Sequence, residues 1–508
     1  MNSGKICISL AEPTAAALVE KLGRASGLAD VIEIRFDRLE PAEIGRVLES
    51  LAVLESRPAL LATNRPKDER SNAAFESRVA FWQRVLATRL FQYVDFEDDL
   101  VFALTYNDIF DPELLADVTV IGSHHNFYET PPDIGPILKP FEAVDDSRFH
   151  CDAVKIATTA NSITDTVELW YTLDWARHYG LRAIPIGMGE PGKWTRILGL
   201  AHGAMLAYAS LDDEGATAPG QITAPDLFEV YRVRDLTRET RVYGVIAGDT
   251  SYSLSPYIQN AAIRSAGVDA VFVPLQVDDL RDFLRRMVLP DTREIELNFG
   301  GFAVTNPHKR SIIEYLDETD DAARAIGAVN TVTINDSRLV ATNTDAAGFI
   351  EPLVEILGDI RGSEAAVYGA GGAARACVYA LRSAGAEVRV HARDPKKAAA
   401  LATEFAVAAG VDIGTPDIFV NATPVGTRGY PEISVLAPDT LAGIGMVYDL
   451  TYNPRETVLL REAKAAGCKT LDGLAMLVAQ GAKQFELWTG LDADRDAMAA
   501  AALDKLQR

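Results

Sequence analysis

The chain has 508 residues, 48% of them hydrophobic and 24% charged, with a formal charge of −23 and an isoelectric point near 4.8. This length exceeds one ordinary core, so we expect several globular domains. The negative charge disfavours binding to nucleic acid or to an anionic membrane, so an anionic ligand must be held by local arginines and lysines. No apolar run reaches the roughly 18 residues of a membrane span.

The four cysteines lie far apart and form no CxxC pair. This usage suits a reducing compartment and predicts neither disulfides nor a metal site. The N-terminal sequence MNSGKICISLAEP passes directly into a strand-like alternation, which leaves no room for a targeting leader. We therefore expect a cytoplasmic protein, and a processed plastid form also fits.

The first 225 residues alternate between strand-like and helix-like stretches. The predicted strands lie at 5–10, 31–37, 58–63, 92–97, 118–123, 153–157, 182–187 and 216–222. The predicted helices between them include 73–90, 163–178 and 196–209. Eight strands alternating with helices predict an α/β fold that begins with an N-terminal (β/α)8 TIM barrel.

Polar side chains recur on one face of the predicted barrel strands. Glu33 and Arg35 alternate with apolar residues in the second strand, and Asp95 and Glu97 share one side of the fourth. Lys155 lies inside the apolar run DAVKIA. The structural alternatives are an edge strand with a solvated face and a lysine that reaches the surface. A lysine buried in a barrel mouth instead has a lowered pKa, and its neutral amine can attack a ketone to form a Schiff base.

Two histidines are adjacent in the sequence IGSHHNF at 121–127. Because side chains at i and i+2 line one face of a strand, Ser123 and His125 share a side and His124 points the other way. We therefore expect His125 to converge with Lys155 and act as the base, and His124 to pack behind the strand.

The motifs EIRFD (33–37), SHHNF (123–127), VKIA (154–157) and TAPGQ (217–221) together resemble the type I 3-dehydroquinate dehydratases over about residues 5–225. The resemblance implies that Lys155 forms a Schiff base with the C3 ketone of 3-dehydroquinate, that His125 is the general base and that Glu69 orients it. Loss of water then gives 3-dehydroshikimate. The substrate-binding positions implied are Glu33, Arg35, Arg65, Arg196, Thr217 and Gln221. The sequence departs from the family at Arg70-Ser71, where Gly-Gly is usual, and at Thr217, where serine is common.

Residues 229–241 are charged, lack a strong apolar face and are predicted to be a linker, after which the strand–helix rhythm restarts. The sequence AAVYGAGGAARA at 365–376 predicts a strand, a glycine-rich turn and a helix, a pattern typical of dinucleotide binding. A glycine-rich turn without a ligand is the alternative. Arg393 ends the next strand and favours NADP over NAD, helped by Lys396 and Lys397. Asp394 either opposes a 2′-phosphate or contacts a 2′-hydroxyl.

Further motifs surround this turn: SYSLSP (251–256), FAVTNPHK (302–309), GAVNT (327–331), TNTDAAGF (342–349), VNATPVG (420–426), DLTYNP (449–454) and DGLAMLVAQ (472–480). Taken singly, several have plain structural explanations, such as a helix start at SYSLSP, a helix cap at Asp345 or a surface lysine at Lys309. Together they resemble the shikimate dehydrogenases over about 242–508.

This second resemblance implies a substrate-binding domain at 242–345, completed by C-terminal helices at 476–508, and a Rossmann-like NADP-binding domain at 346–475. Lys309 and Asp345 are the implied catalytic pair, which reduces 3-dehydroshikimate to shikimate with a hydride from NADPH. The implied substrate contacts are Ser253, Ser255, Thr305, Asn330, Tyr452 and Gln480. The implied cofactor contacts are Gly369, Ala370, Gly371, Gly372, Ala373, Arg393, Lys397, Thr423, Gly426 and Gly473. The departures from the family are Gln259, Ala303 and Thr427.

The two halves match consecutive steps, with a barrel domain at 1–228 acting before the reductase. The hypothesis is a lyase and oxidoreductase of the shikimate pathway of aromatic amino-acid biosynthesis, with the domain order of the plant fusion enzyme and no metal, nucleic-acid or membrane partner. The alternatives are a quinate/shikimate dehydrogenase of catabolism and a non-catalytic ligand-sensing regulator. The regulator is disfavoured because Lys155, His125, Lys309 and Asp345 are all present.

Overall fold

The computed structural model describes residues 2–54, 57–65, 72–106, 109, 111–142 and 149–507. The chain divides into two compact units, Met1–Thr240 with Val273–Asn298 and Arg241–Phe272 with Phe299–Arg508, and each is described by itself. Within the described ranges, every helix is too short or too polar to cross a lipid bilayer.

In the described part of the first unit, eight parallel strands follow one another in sequence and in space. They are β1 (Lys5–Leu10), β2 (Val31–Arg35), β3 (Ala59–Thr63), β4 (Tyr93–Glu97), β5 (Thr119–Asn126), β6 (Ala153–Thr159), β7 (Arg182–Met188) and β8 (Leu206–Ser210). A short β9 (Ile222–Thr223) pairs in parallel with the end of β8. β8 pairs with β1, and a parallel bridge between Ala183 and Ala204 joins β7 to the chain just before β8. The ring is therefore closed, and the predicted TIM barrel is confirmed.

Helices lie between these strands, and apolar side chains fill the barrel. The helices are α1 (Ala15–Ala25), α2 (Ile44–Ala52), α3 (Asn72–Ala87), α4 (Asp98–Tyr106), α5 (Gly135–Leu138), α6 (Asp165–His178) and α7 (Lys193–Leu198). One buried cluster takes residues from each of the eight strands, including Cys7, Leu61, Ile121, Ile184 and Tyr208. The interior of the barrel is thus a packed core, and polar groups inside it need partners or a function.

The eighth strand lies where the sequence predicts a helix. The predictions of a helix over 196–209 and a strand over 216–222 are wrong, because α7 ends at Leu198 and β8 occupies 206–210. Gly203 has a φ of 100°, which glycine adopts without strain and which stops the helical path. The strand LAYAS is buried on both faces and shows no alternation, so its local pattern does not distinguish a strand from a helix.

The segment 229–241, predicted as a linker, is packed against the barrel. Val233 and Leu236 are buried, and the side-chain amide of Asn2 donates to their carbonyl oxygens at 2.8 and 3.0 Å. Arg234 forms an ion pair with Asp30, which precedes β2. The sequence does not indicate this packing, because the buried Val233 and Leu236 are too few to form a periodic apolar pattern among the charged residues of 229–241.

The remaining strands form two six-stranded sheets. The first has the order β11-β10-β12-β14-β15-β13 and is mixed, since β14 is antiparallel to both neighbours; its strands are β10 (Arg241–Ala247), β11 (Ala270–Gln276), β12 (Phe299–Val304), β13 (Glu318–Thr319), β14 (Thr331–Asn335) and β15 (Arg338–Thr342). The second has the order β18-β17-β16-β19-β20-β21 and is entirely parallel; its strands are β16 (Glu364–Tyr368), β17 (Glu387–His391), β18 (Ala408–Ala409), β19 (Ile418–Asn421), β20 (Met446–Asp449) and β21 (Lys469–Leu471). The parallel sheet confirms the predicted Rossmann-like fold.

Helices cover these sheets. They are α8 (Ser255–Ser265), α9 (Leu280–Phe283), α10 (His308–Ser311), α11 (Asp321–Ile326), α12 (Asp345–Leu357), α13 (Gly372–Ser383), α14 (Pro395–Glu404), α15 (Val458–Ala465), α16 (Gly473–Thr489) and α17 (Arg495–Gln507). α16 and α17 contribute Phe485 and Met498 to a buried cluster with Val245, Ile258 and Phe272. The C-terminal helices therefore complete the core of the mixed sheet.

Candidate active sites

Asp95 in β4 is the centre of a buried charged cluster inside the barrel. Its carboxylate accepts hydrogen bonds from Lys155 Nζ in β6 and from Ser123 Oγ in β5, the latter at 2.5 Å. Arg65, just after β3, approaches both carboxylate oxygens at 2.8 and 2.9 Å. Arg65 also donates to Ser123 Oγ at 2.8 Å and to Glu97 Oε1 at 3.4 Å. The polar side chains of successive strands thus converge on one place.

Burial and neighbouring charges shift the pKa values of this cluster. Burial opposes the charge of Asp95, but Arg65 and Lys155 outweigh it and hold its pKa well below the usual range. Burial, aided by Arg65, holds the pKa of Lys155 below that of a free lysine although Asp95 opposes this. Burial and the positive charges of Arg65 and Lys155 hold the pKa of His125 well below its usual value. The site therefore favours a neutral imidazole and eases deprotonation of the lysine.

The two adjacent histidines have different surroundings. His124 Nδ1 lies 2.6 Å from Asp98 Oδ2 at the start of α4, and its side chain is 23% exposed, so it is not packed away behind the strand. His125 shares the strand face of Ser123, and its buried Nδ1 lacks a hydrogen-bond partner among the described residues. His125 is therefore available for a proton from a ligand, whereas His124 is held by a carboxylate.

Glu33 and Arg35 in β2 each have a local partner. Glu33 accepts hydrogen bonds from Ser9 Oγ and from Thr63 Oγ1, the latter at 2.7 Å. Arg35 makes a two-point contact with Asp37 at 2.8 and 2.9 Å.

Thr217 and Gln221 contact each other near the end of β8. Gln221 Oε1 accepts from the backbone N–H of Thr217 at 2.7 Å and from its hydroxyl at 3.2 Å. These contacts leave the side-chain NH2 of Gln221 as the donor group of the pair. Glu69, predicted to orient His125, and the departures Arg70 and Ser71 lie outside the described residues.

Arg196 in α7 is a buried cation. Its side chain is 4% exposed, and its Nε and Nη2 atoms have no hydrogen-bond partner in the part of the chain that the structure describes. Burial lowers its pKa to about 10. Buried charges are normally paired, so this guanidinium is suited to receive an anionic group of a ligand.

Tyr208 contacts Lys155 but was not predicted as a site residue. Its hydroxyl lies 3.4 Å from Lys155 Nζ. The sequence interpretation missed it because β8 was assigned to a helix. The sequence pattern places Asp95 on the same face as Glu97 but predicts no role for it, since its contacts with other strands are not visible in one strand.

A second site surrounds a cavity of about 200 Å3 in the second unit. The predicted residues that line it are Ser253, Ser255, Thr305, Lys309, Ala373, Asn330, Asp345, Tyr452, Gly473 and Gln480. Lys309 in α10 donates a hydrogen bond to Asp345, the first residue of α12. Asp345 is buried, and the Lys309 side chain is 18% exposed. A lysine and a carboxylate in contact at a cavity wall can exchange a proton with a bound ligand.

Asn330 fixes the position of the Lys309–Asp345 pair through hydrogen bonds to Asp345 and its neighbours. Its Nδ2 donates to Asp345 Oδ1 at 2.7 Å and to Gln480 Oε1 at 3.3 Å. Gln484, also missed from sequence, donates to the Asn330 carbonyl at 3.1 Å, and Gln259 donates to Gln484 at 3.2 Å. Gln259, one of the departures from the family, thus takes part in a buried hydrogen-bonded network.

The glycine-rich turn after β16 lies against the cavity. Gly369 has a φ of 140°, and a Cβ there would stand 2.8 Å from the Ala422 carbonyl. A Cβ on Gly372 would lie 3.2 Å from Lys309 Cδ, and Gly371 precedes α13 with open space around it and no side-chain cap. The turn therefore fits a dinucleotide, because it presents uncapped backbone N–H groups at a helix N-terminus beside the Lys309 pair.

Positive side chains follow β17, the neighbouring strand. Arg393 and Lys397 are exposed around the start of α14. Asp394 accepts the backbone N–H of Lys396 at 3.0 Å and so caps α14. Its carboxylate therefore has a structural role between two cations suited to a phosphate.

The other predicted cofactor positions lie in nearby turns. Thr423 donates its backbone N–H and its hydroxyl to Asn421 Oδ1 at 3.1 and 2.7 Å. Gly426 has a φ of 90°. A Cβ on Gly473 would stand 2.1 Å from the Leu450 carbonyl, so only glycine fits there. Ala370 packs against the core of the parallel sheet.

Three family models match the chain in succession. Type I 3-dehydroquinase matches residues 6–238, the shikimate dehydrogenase substrate binding domain matches 245–332, and the shikimate 5'-dehydrogenase C-terminal domain matches 473–503. The first match covers the barrel cluster around Asp95 and Lys155. The second covers Lys309 and Asn330, and the third covers Gly473 and Gln480 of the second site.

Known proteins resemble the chain both in part and as a whole. A shikimate dehydrogenase (NADP(+)) of Methanocaldococcus jannaschii is 38% identical over 54% of this chain and 100% of its own length. A crystal structure of a shikimate dehydrogenase in complex with NADP+ is 37% identical, with a TM-score of 0.50, over 53% of this chain and 96% of that chain. A chloroplastic bifunctional 3-dehydroquinate dehydratase/shikimate dehydrogenase of Arabidopsis thaliana is 32% identical over 97% of this chain and 83% of its own length. The chain therefore belongs to the family of bifunctional 3-dehydroquinate dehydratase/shikimate dehydrogenases.

Proposed function

We propose that the chain catalyses two consecutive steps of the shikimate pathway, as a 3-dehydroquinate dehydratase and an NADP-dependent shikimate dehydrogenase. This function is supported chiefly by two lysine–carboxylate contacts in one chain that is related to a bifunctional enzyme over 97% of its length. One contact lies in a buried cluster inside the barrel, and the other lies beside the glycine-rich turn suited to a dinucleotide. The substrates are 3-dehydroquinate and 3-dehydroshikimate, and the final product is shikimate.

In the barrel, the neutral amine of Lys155 attacks the C3 carbonyl carbon of 3-dehydroquinate, and loss of water gives an iminium ion. His125, which burial and nearby cations keep neutral, removes the proton α to the iminium carbon. The electron pair expels the neighbouring hydroxyl, which leaves as a second water with the proton held by His125. Hydrolysis takes up one water, releases 3-dehydroshikimate and frees Lys155, so one water is lost overall.

The other polar residues of the barrel bind and orient the substrate. Arg196, whose buried guanidinium has two nitrogens without a partner among the described residues, pairs with the substrate carboxylate. Gln221 and Glu33 suit ring hydroxyls as donor and acceptor. Asp95 holds the Lys155 amine in place and is itself held by Arg65, and Glu69 is proposed to orient His125.

In the second unit, Gly369, Gly371, Gly372 and the cations Arg393 and Lys397 would hold NADPH, which when bound supplies a hydride to the ketone carbon. Lys309 donates a proton to the ketone oxygen of 3-dehydroshikimate. Asp345 holds the ammonium, and Asn330 fixes the Asp345 carboxylate. The serine and threonine hydroxyls that line the cavity bind the substrate; they are Ser253, Ser255 and Thr305.

The domain division that we propose is a barrel at 1–228, a connecting segment at 229–241 that packs against the barrel, a substrate-binding domain at 242–345 completed by 476–508, and an NADP-binding domain at 346–475. We also propose a cytoplasmic location, which the four free cysteines support because they suit a reducing compartment. Recovery of the protein from an organelle after cell fractionation would contradict that location.

The function is tested by following products from 3-dehydroquinate with and without NADPH. We expect 3-dehydroshikimate alone in the first case and shikimate in the second. Borohydride added during the first reaction should reduce the iminium ion and label the peptide that contains Lys155. A Lys155→Ala variant is the control, because it should lose the label and the dehydration yet still reduce added 3-dehydroshikimate.

Three results would contradict the proposal: a label on another residue, no product in either case, or a kcat/KM for quinate oxidation above that for shikimate. The last would favour a catabolic quinate dehydrogenase.

A further inference from the structure

Tyr208 stands on the inner side of β8, next to the amine of Lys155. It is 6% exposed and belongs to the buried cluster inside the barrel. Its hydroxyl oxygen is 3.4 Å from Lys155 Nζ, and Nζ lies 4.7 Å from the centre of its ring. We propose that Tyr208 is a positioning residue that orients the Lys155 amine for attack on the ketone. This inference rests on the proposed dehydratase function.

The reason is the geometry of an amine at the end of a flexible side chain. A neutral amine has two N–H bonds and one lone pair, and only the lone pair attacks a carbonyl carbon. Lys155 Nζ has an acceptor in Asp95 and a second acceptor in the Tyr208 hydroxyl. When both N–H bonds are held, the direction of the lone pair is set. With Asp95 alone, the amine can turn about the last bond of the side chain.

The surroundings of Tyr208 keep its phenol hydroxyl protonated and neutral, as this role requires. Burial, together with the negative charges of Glu33 and Asp95, holds the pKa of Tyr208 well above its usual value. The phenol therefore stays neutral and keeps an oxygen lone pair for the lysine. The ring beneath Nζ adds a contact that favours a positive charge, which the iminium ion carries.

The barrel provides a matched control in Tyr93. This tyrosine belongs to the same buried cluster and is 7% exposed. Its hydroxyl accepts a hydrogen bond from Lys5 Nζ at 2.8 Å, and Nζ lies 5.5 Å from its ring centre. Tyr93→Phe therefore removes the same atom from the same kind of lysine–tyrosine pair, but at a lysine that begins β1 and takes no part in the proposed chemistry.

The test is rapid-quench borohydride trapping in a single turnover with 3-dehydroquinate. In Tyr208→Phe, we expect the rate constant for labelling Lys155 to fall about three- to tenfold, as for the loss of one hydrogen bond. The kcat for dehydration should fall by at most the same factor, and KM should stay within about twofold, because substrate contacts are kept. Tyr93→Phe should match the wild-type protein in both quantities. Shikimate oxidation should be unchanged in every variant, which checks the second unit, and tryptophan fluorescence should match the wild-type protein, which checks that the barrel is folded.

A wild-type labelling rate in Tyr208→Phe would overturn the inference, as would an equal loss in Tyr93→Phe. Tyr208→Leu also removes the ring and should lower the labelling rate further; a rate above that of Tyr208→Phe would contradict the role of the ring. Absence of a label on Lys155 in the wild-type protein would refute the proposed function itself. That result is distinct from a labelled wild-type protein with an unchanged Tyr208→Phe variant.

Discussion

Arg196 is buried and the side chain of Arg65 is only 12% exposed, but within the described residues only Arg65 has charged partners. Arg65 contacts the carboxylates of Asp95 and Glu97, whereas two nitrogens of Arg196 are unpartnered among the described residues. We therefore predict that the same substitution, arginine to methionine, changes the stability of the barrel in opposite directions at the two positions.

The magnitude for Arg196 follows from its pKa. Burial lowers it from the ordinary arginine value to about 10, a loss of more than two powers of ten in proton affinity. Each power of ten corresponds to about 1.4 kcal/mol, so the charged group costs the folded barrel about 3 kcal/mol at neutral pH. Methionine fills part of the same space without charge. We expect Arg196→Met to raise the free energy of unfolding by about 1–3 kcal/mol.

Arg65→Met should have the opposite effect. It leaves Asp95 with Lys155 as its charged partner and removes the ion pair with Glu97. Breaking a buried ion pair from one side costs about 3–5 kcal/mol. We therefore expect a clear loss of stability in this variant.

The assay is urea unfolding followed by tryptophan fluorescence. Four of the five tryptophans lie in the first unit, at Trp82, Trp170, Trp175 and Trp194, so the signal reports mainly on the barrel. Dehydration is measured in parallel. Arg196→Met should lower kcat/KM for 3-dehydroquinate by about 10- to 100-fold through loss of a charge-assisted contact with the carboxylate. Shikimate oxidation should be unchanged.

The reasoning would be refuted if Arg196→Met unfolded at a lower urea concentration than the wild-type protein. Unchanged KM and kcat for 3-dehydroquinate would refute the role of Arg196 as the carboxylate receptor. A stabilised Arg65→Met variant would show that the contacts with Asp95 and Glu97 do not offset the burial of the charge.

Four further predictions concern the remaining proposed residues. His125→Ala should lower kcat for dehydration by about 10²- to 10⁴-fold, whereas His124→Ala, which loses only a half-exposed ion pair, should keep kcat and lose at most about 1 kcal/mol of stability in the urea assay. Lys309→Met should lower the rate of shikimate oxidation by about 10²- to 10⁴-fold and leave dehydration intact; an equal effect on both reactions would point to misfolding. Arg393→Ala should raise the Kd for NADPH about 10- to 100-fold in a fluorescence titration and leave the Kd for NADH unchanged, and equal losses for both would argue against 2′-phosphate recognition. Because the pKa of His125 is lowered in the folded barrel, the unfolded chain takes up a proton near pH 6.5 that the folded chain does not, so stability is fully present above this pH and falls below it. His125→Gln should therefore show a flatter decline in free energy of unfolding between pH 6.5 and 5, and equal slopes would contradict the assigned pKa direction.

Local periodicity determined much of the barrel and the principal candidate residues. Alternation along β5 separates His124 from His125, and this depends only on the two-residue repeat of a strand. Seven of the eight barrel strands lie close to their predicted positions for the same reason, since apolar runs bounded by turn residues mark them. The glycine-rich turn was also predictable, because the strand–glycine–helix order is contained in one short stretch.

Tertiary structure decided what local patterns do not contain. LAYAS at β8 is buried on both sides, so it becomes a strand only because β1 pairs with it. The contact of Asp95 with Arg65, Ser123 and Lys155 joins residues from separate strands, and the pairing of β3, β4, β5 and β6 side by side brings them together. Closure of the barrel by the pairing of β8 with β1 places Tyr208 beside Lys155. The partners of a side chain across a core depend on the whole fold, whereas the face of the strand on which it lies depends only on its neighbours in sequence.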